Sequence, residues 1–200
     1  MGLENTTKLI YLSISAGKIC RRVHQPTENS ISRTNKNGVI VHEEYYDRIS
    51  GTIKDIRTRN HIEYGRFWEV CMEDKGTLYL LQFKYSSGYA SSFLKAIKNA
   101  DLCKPLTLIP YSKEENGRTK TTLFINQNGQ VLKHYYTKVN PNGMPTFRKV
   151  KVKGIDQWDD SDTMEFLERM VDTDIKPLLY NNGAVQPHSY SDLTQDTLSF

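Results

Sequence analysis

Between Arg48 and Tyr85 the sequence RISGTIKDIRTRNHIEYGRFWEVCMEDKGTLYLLQFKY interleaves cations with aromatic rings. Lys54, Arg57, Arg59, Arg66 and Lys84 supply positive charge, while Tyr64, Phe67, Trp68, Tyr79, Phe83 and Tyr85 supply flat apolar faces. Cations of this kind neutralise phosphates, and rings stack on bases that have left a duplex, each stack contributing about 1–3 kcal/mol. Together these residue types can hold a single-stranded polyanion, which is binding chemistry rather than bond making. Two catalytic alternatives stand beside it. Asp55 with Glu73 and Lys75 has the acid, acid-x-lysine layout of a Mg2+-dependent nuclease, but Glu73-Asp74-Lys75-Gly76 reads as a hairpin tip, whereas such a site belongs on a buried strand. Cys20 and His24 could form half of a zinc site, and nothing at ligand spacing completes it. With no phosphate-cradling glycine run and no nucleophile elbow, the expectation is a protein without cofactor and without enzymatic activity.

Side chains alternate faces along a strand, so Phe67-Trp68 and Tyr135-Tyr136 cannot both face outward, and about half of all the rings belong to the core. An Arg or Lys of the same parity marks the outer face. On that ground Trp68, two residues after Arg66, is the leading candidate for base stacking, joined by Tyr64, Phe83, Tyr85 and Tyr135. Arg21, Arg22, Lys54, Arg57, Arg59, Arg66 and Lys84, with Lys120 and Lys133 on later strands, are the candidates for tracking a phosphate backbone.

These residues need a scaffold, and 200 residues at 38% hydrophobic content can build one well-packed core with appendages. No apolar run reaches 18 residues, and the start, MGLENTTKLIYL, lacks the pattern of a signal peptide, so a soluble, cytoplasmic protein with no membrane partner is expected. Three widely spaced cysteines, Cys20, Cys71 and Cys103, predict free thiols rather than a disulfide framework. The net charge of +4 conceals an asymmetry: through Lys153 the chain carries 25 Lys and Arg against 13 Asp and Glu, and from Gly154 onward 2 against 10. A basic body with an acidic C-terminal portion points to a polyanionic partner and to a segment that competes with it.

The central stretch reads as strands, with Gly51 marking a bulge or bend. Lys8–Val23 reads as a first strand and 25–38 as an exposed loop. From Ser86 to Ala100 the period turns helical, with Tyr89, Phe93 and Ile97 on one side and Ser86 or Ser87 as cap. Strands resume over 104–110, 120–125 and 131–139, with Asn128-Gly129 as a tight turn; 146–152 adds a basic strand or arm. Ser161–Asp174 predicts an acidic helix with Met164, Leu167 and Val171 on one side, and the polar 181–200 a flexible tail.

Three strands, a helix and two more strands is the order of the OB-fold, a mainly β five-stranded Greek-key barrel whose second and third strands bind oligonucleotides. The layout predicts such a barrel over 1–153, an acidic helical segment over 154–180 and a tail over 181–200. The tail ends Asp192-Leu-Thr-Gln-Asp196-Thr-Leu-Ser-Phe200. In this combination the chain resembles the OB-fold single-stranded DNA-binding proteins of bacteria and replicating bacteriophages. The resemblance implies a protein that coats and protects single-stranded DNA during replication, recombination or repair, in the host cytoplasm if of phage origin. It further implies that Asp192, Asp196, Leu198 and Phe200 dock on replication or recombination proteins. RNA as a ligand and a homo-oligomeric state stay open. An alternative class is a virion or assembly protein whose β domain binds other proteins.

Overall fold

The alternating runs form strands that join into one large mixed sheet, and the chain is mainly β with few helices. The computed structural model describes residues 9–152 and 154–181. Where one first strand was expected there are two, β1 (Leu9–Ser15) and β2 (Lys18–Val23), because Ala16 and Gly17, both at positive φ, reverse the chain. Next come β3 (Ile31–Thr34) and β4 (Ile40–Tyr46). The stretch 25–38 is therefore not all loop: β3 pairs with β4 and forms one end of the sheet.

The centre follows as β5 (Ile49–His61), β6 (Gly65–Asp74) and β7 (Thr77–Lys84), then α1 (Gly88–Ile97), β8 (Leu106–Glu115), β9 (Arg118–Gln127) and β10 (Gln130–Val131). The expected strand 131–139 stops at Val131. Across the sheet the order is β10-β9-β8-β5-β6-β7-β1-β2-β4-β3, antiparallel throughout except that β1 runs parallel to β7. The turns are as the residue types dictate: Lys75 and Gly76 have φ of 49° and 77°, Asn128 and Gly129 of 54° and 78°, the two left-handed residues of a tight hairpin. At Gly51 the backbones come close, since a Cβ there would lie 2.6 Å from the Glu73 carbonyl oxygen. The bulge itself falls between Ile53 and Asp55.

Helix α1 starts at Ser87, whose hydroxyl accepts a hydrogen bond from the Ala90 amide at 3.1 Å. It presses Phe93, Leu94 and Ile97 into a core shared with Ile56, Trp68, Val70, Met72, Leu81, Phe83, Leu108 and Ile125. Two further strands, β11 (Arg148–Val152) and β12 (Ile155–Asp159), pair only with each other and form a separate two-stranded arm.

The last helix corrects an expectation. α2 (Ser161–Met170) continues through a π-helical turn (Val171–Ile175) into α3 (Lys176–Asn181), so the helix runs on past Asp174, where the sequence reading ended it. It is no appendage, because Met164, Leu167, Met170, Val171, Ile175 and Leu179 are buried in the main core. The reason lies in β5. β8 pairs with it only over Ile49–Gly51, which leaves the rest of that edge without a strand neighbour among the described residues, and α3 packs against β5.

Candidate nucleic-acid interface

Strand parity sorts the cations and rings onto two faces. The side of β5-β6-β7 that carries Ile56, Trp68, Val70, Met72, Leu81 and Phe83 is the core side. On the opposite, outer side the register sets Arg59, Phe67 and Lys84 in one row and Arg57, Glu69 and Gln82 in the next. β1 and β2 extend the second row through Ser13 and Cys20 to Tyr45 on β4. A third row holds Asp55, Cys71, Leu80 and Tyr11.

Two buried carboxylates organise this face. Glu69, 1% exposed, accepts a hydrogen bond from Arg57 Nε at 2.7 Å and one from Gln82 Nε2 at 2.7 Å, with Arg59 Nη1 at 3.5 Å. Glu43 does the same further along. It accepts from Arg33 Nε and Nη2 at 2.7 and 2.6 Å and from the Tyr45 hydroxyl at 2.7 Å, with Arg22 at 3.8 Å. A carboxylate under each pair fixes the guanidinium planes in place, so a phosphate meets cations already oriented. The Arg33 hydrogen bonds hold Glu43 below the usual carboxylate range, while the bond to Glu43 and burial push Tyr45 up to about 12. Burial raises the Tyr11 hydroxyl, beside Arg59, Glu69 and Arg57.

Of the residues singled out in the sequence, Arg57, Arg59, Lys84 and Arg22 lie together on this outer face. Trp68 and Phe83 do not. They are 1% and 4% exposed, and Phe83 meets Phe93 edge-on at 5.9 Å, so the expectation that they stack on bases is corrected to core packing. Arg66, whose parity marks Trp68's face as outer in the sequence, sits at the strand's end, where the inner face meets the rim. There Tyr85 stacks on Trp68 at 5.6 Å and Arg66 lies over the Tyr85 ring at 4.3 Å. Glu168 of α2 closes this cluster, accepting hydrogen bonds from Arg66 Nη2, from the Tyr85 hydroxyl at 2.8 Å and from Thr58 at 3.0 Å. Burial and the Glu168 hydrogen bond push Tyr85 well above the usual phenol range.

The other candidates are dispersed. Arg21 faces the inner side with Glu44 at 3.3 Å, and Lys54 pairs with Glu73 at 2.8 Å. Tyr64 packs on His61 at 4.7 Å in the turn between β5 and β6. Lys120 pairs with Glu115 on the β8-β9 hairpin, Lys133 follows β10, and Tyr135 packs on Tyr136 with Lys98 5.0 Å away. Asp192, Asp196, Leu198 and Phe200 lie outside the described residues. Tyr11, Arg33, Tyr45 and Phe67, which lie on this face, are not among the residues the sequence singles out as ligand contacts. Phe67 shares its parity with Arg57 and Arg59 counted through the hairpin pairing, and that signal was available.

The residues of the nuclease alternative are differently placed. Asp55 is buried in the third row and Glu73 is bound to Lys54, while Lys75 forms the turn. No group of three or more His, Cys, Asp or Glu is placed to hold a metal ion among the described residues. Nor is any helix among them long and apolar enough to cross a membrane. Comparison with family models, curated proteins and solved structures finds no match for this chain.

Proposed function

We propose that the protein binds single-stranded DNA, without catalysing a reaction on it, along the outer face of β5-β6-β7-β1. The carrying observation is the row pattern there: Arg57 and Arg59 are held by buried Glu69 beside Phe67, Lys84 and Tyr11, so that cations and rings share one surface. Phosphates would meet the guanidinium and ammonium groups, and bases would lie on Phe67 and Tyr11. In this reading β8, β5, β6, β7 and β1 are the staves of a partly open OB-type barrel in which the N-terminal strand takes the fifth place. The reading draws support from the β1-β2 turn. The Gly17 amide donates to the Tyr89 hydroxyl at 3.1 Å, and a Cβ at Gly17 would lie 2.7 Å from the Ser112 amide nitrogen, which brings the turn up to β8. β6 and β7 then stand where such barrels bind oligonucleotides. Coating exposed strands in replication or recombination would follow from occupancy alone.

Titration of a labelled oligo-dT across a salt series tests this. Binding should weaken steeply with salt, and Arg57→Ala with Arg59→Ala should lower the slope of log K against log salt by about 0.7 for each phosphate contact removed. No binding at low salt, or a double variant with unchanged slope, would sink the proposal.

A second reading, a protein-assembly module, is favoured by the far end of the sheet. There β3 presents an unpaired edge among the described strands, with Ile31 62% and Ile40 65% exposed. Concentration-dependent association that is lost on Ile31→Lys, in a chain that fails to bind oligo-dT, would select it.

A further inference from the structure

The arm β11-β12 carries the only exposed tryptophan. Of the two in the chain, Trp68 is 1% and Trp158 65% exposed. A two-stranded ribbon is marginal by itself, and a large ring left in water gains nothing for the fold. Register places Lys149 directly opposite Trp158 and Lys151 directly opposite Asp156, with the Val150–Gln157 pair between them, so these four side chains share a face on which three are cationic or aromatic and one is acidic. Residues two apart along one strand share a face, which puts Lys149, Lys151 and Trp158 on the same side of the ribbon. The Lys149 ammonium lies over the indole at 5.2 Å.

We infer that this arm is a second nucleic-acid contact, with Trp158 stacking on a base and Lys149 and Lys151 meeting the flanking phosphates; the inference rests on the proposed single-strand binding. A base arriving on the indole displaces the Lys149 ammonium, which moves to a phosphate, so one cation contact is exchanged for a stronger one. The location suits this role. At the foot of the arm Asp160 accepts hydrogen bonds from the Ser86 hydroxyl at 2.7 and 2.6 Å, two residues beyond Lys84 in the Arg59-Phe67-Lys84 row. Arg148 Nη2 bonds Asp162 of α2 at 2.8 Å and steadies the same foot. The foot of the arm therefore lies at the end of β7 that carries Lys84. The pairing of a ring with lysines on one face fits an unpaired nucleotide strand, whose bases and phosphates alternate, better than it fits an apolar protein groove.

The test uses the full chain. Binding of labelled oligo-dT is followed by anisotropy, and tryptophan emission is read in parallel. Wild-type protein should lose emission on binding, and Trp158→Phe should abolish that loss, because only buried Trp68 then emits. Trp158→Ala should weaken binding about 5- to 150-fold with an unchanged unfolding midpoint. Lys149→Gln with Lys151→Gln should lower the salt slope by about 1.4. Binding by anisotropy with unchanged emission and wild-type affinity in Trp158→Ala overturns the arm's role and leaves the main reading standing. No binding by either probe overturns both.

Discussion

Asp55 is one of two buried residues that keep an unpartnered polar side-chain atom among the described residues, Trp68 being the other. It sits 2% exposed on β5 with Oδ1 lacking a hydrogen-bond partner, and burial raises its pKa despite the nearby Arg57 and Lys176. The sign of the consequence follows from linkage. Folding favours the protonated form, so no penalty is felt below the ordinary aspartate value of about 3.9. As pH rises through that value the unfolded chain ionises first, and stability falls until the folded value is passed. Asp55→Asn removes the ionisation and should make the protein more stable than wild type at pH 7, with the gap closing as pH falls toward 3. Denaturant unfolding across that range checks this; a gap independent of pH would mean that burial of charge is not what distinguishes the two. The same residue shows why the sequence was only partly legible here. Asp55, Arg57 and Arg59 announce one face by alternation, and that face holds, but nothing local tells which face is covered. A neighbouring cation marks Trp68 and Phe83 as outward, whereas Phe83 packs edge-on against Phe93 and Trp68 lies stacked under Tyr85.

At the scale of elements, local chemistry was readable and long-range pairing was not. Ser87 capping α1 and the turns at Lys75-Gly76 and Asn128-Gly129 are dictated by residue types within four positions of each other. The parallel pairing of β1 with β7 joins segments dozens of residues apart, and the docking of α2 to α3 depends on an edge of β5 that exists only once β8 turns away at Gly51. The acidic helix was read by its charges. Its apolar stripe matters more for the fold, because the residues turned away from solvent complete the core. Deleting the chain from Gly154 is therefore a poor test of whether the acidic portion competes with DNA, since it also strips at least six buried apolar side chains from the interior. The expected outcome for the helix is more specific: Leu167→Ala should cost about 2–5 kcal/mol in chemical unfolding, and Glu165→Ala, exposed on the same helix, less than about 0.5. Equal small effects would show that the helix rests on the sheet without supporting it.

For the molecule as a whole, the charge division along the sequence becomes contact in space. Acidic side chains of the C-terminal helix meet cations of the basic body: Glu168 on Arg66, Asp174 on Lys98 at 2.5 Å and Asp162 on Arg148 at 2.8 Å. If the acidic portion competes with a polyanion, Glu168 is the contact to test, because Arg66 stands at the end of β6, next in the chain to Phe67 of the outer face. Exposed ion pairs contribute little to stability, typically 0.2–1 kcal/mol, so a polyanion can displace one at modest cost. Glu168→Gln removes the charge, keeps one acceptor oxygen for Arg66, and puts an amide NH2 where the Tyr85 hydroxyl can accept instead of donate. It should tighten oligo-dT binding up to about five-fold at low salt, and the advantage should vanish as the Debye length contracts from about 30 Å at 0.01 M to 3 Å at 1 M. A gain that persists undiminished at high salt would point to rearranged packing around Tyr85 instead of charge. No gain at any salt would show that phosphates never approach Arg66, and would confine the interface to the rows that Glu69 and Glu43 organise.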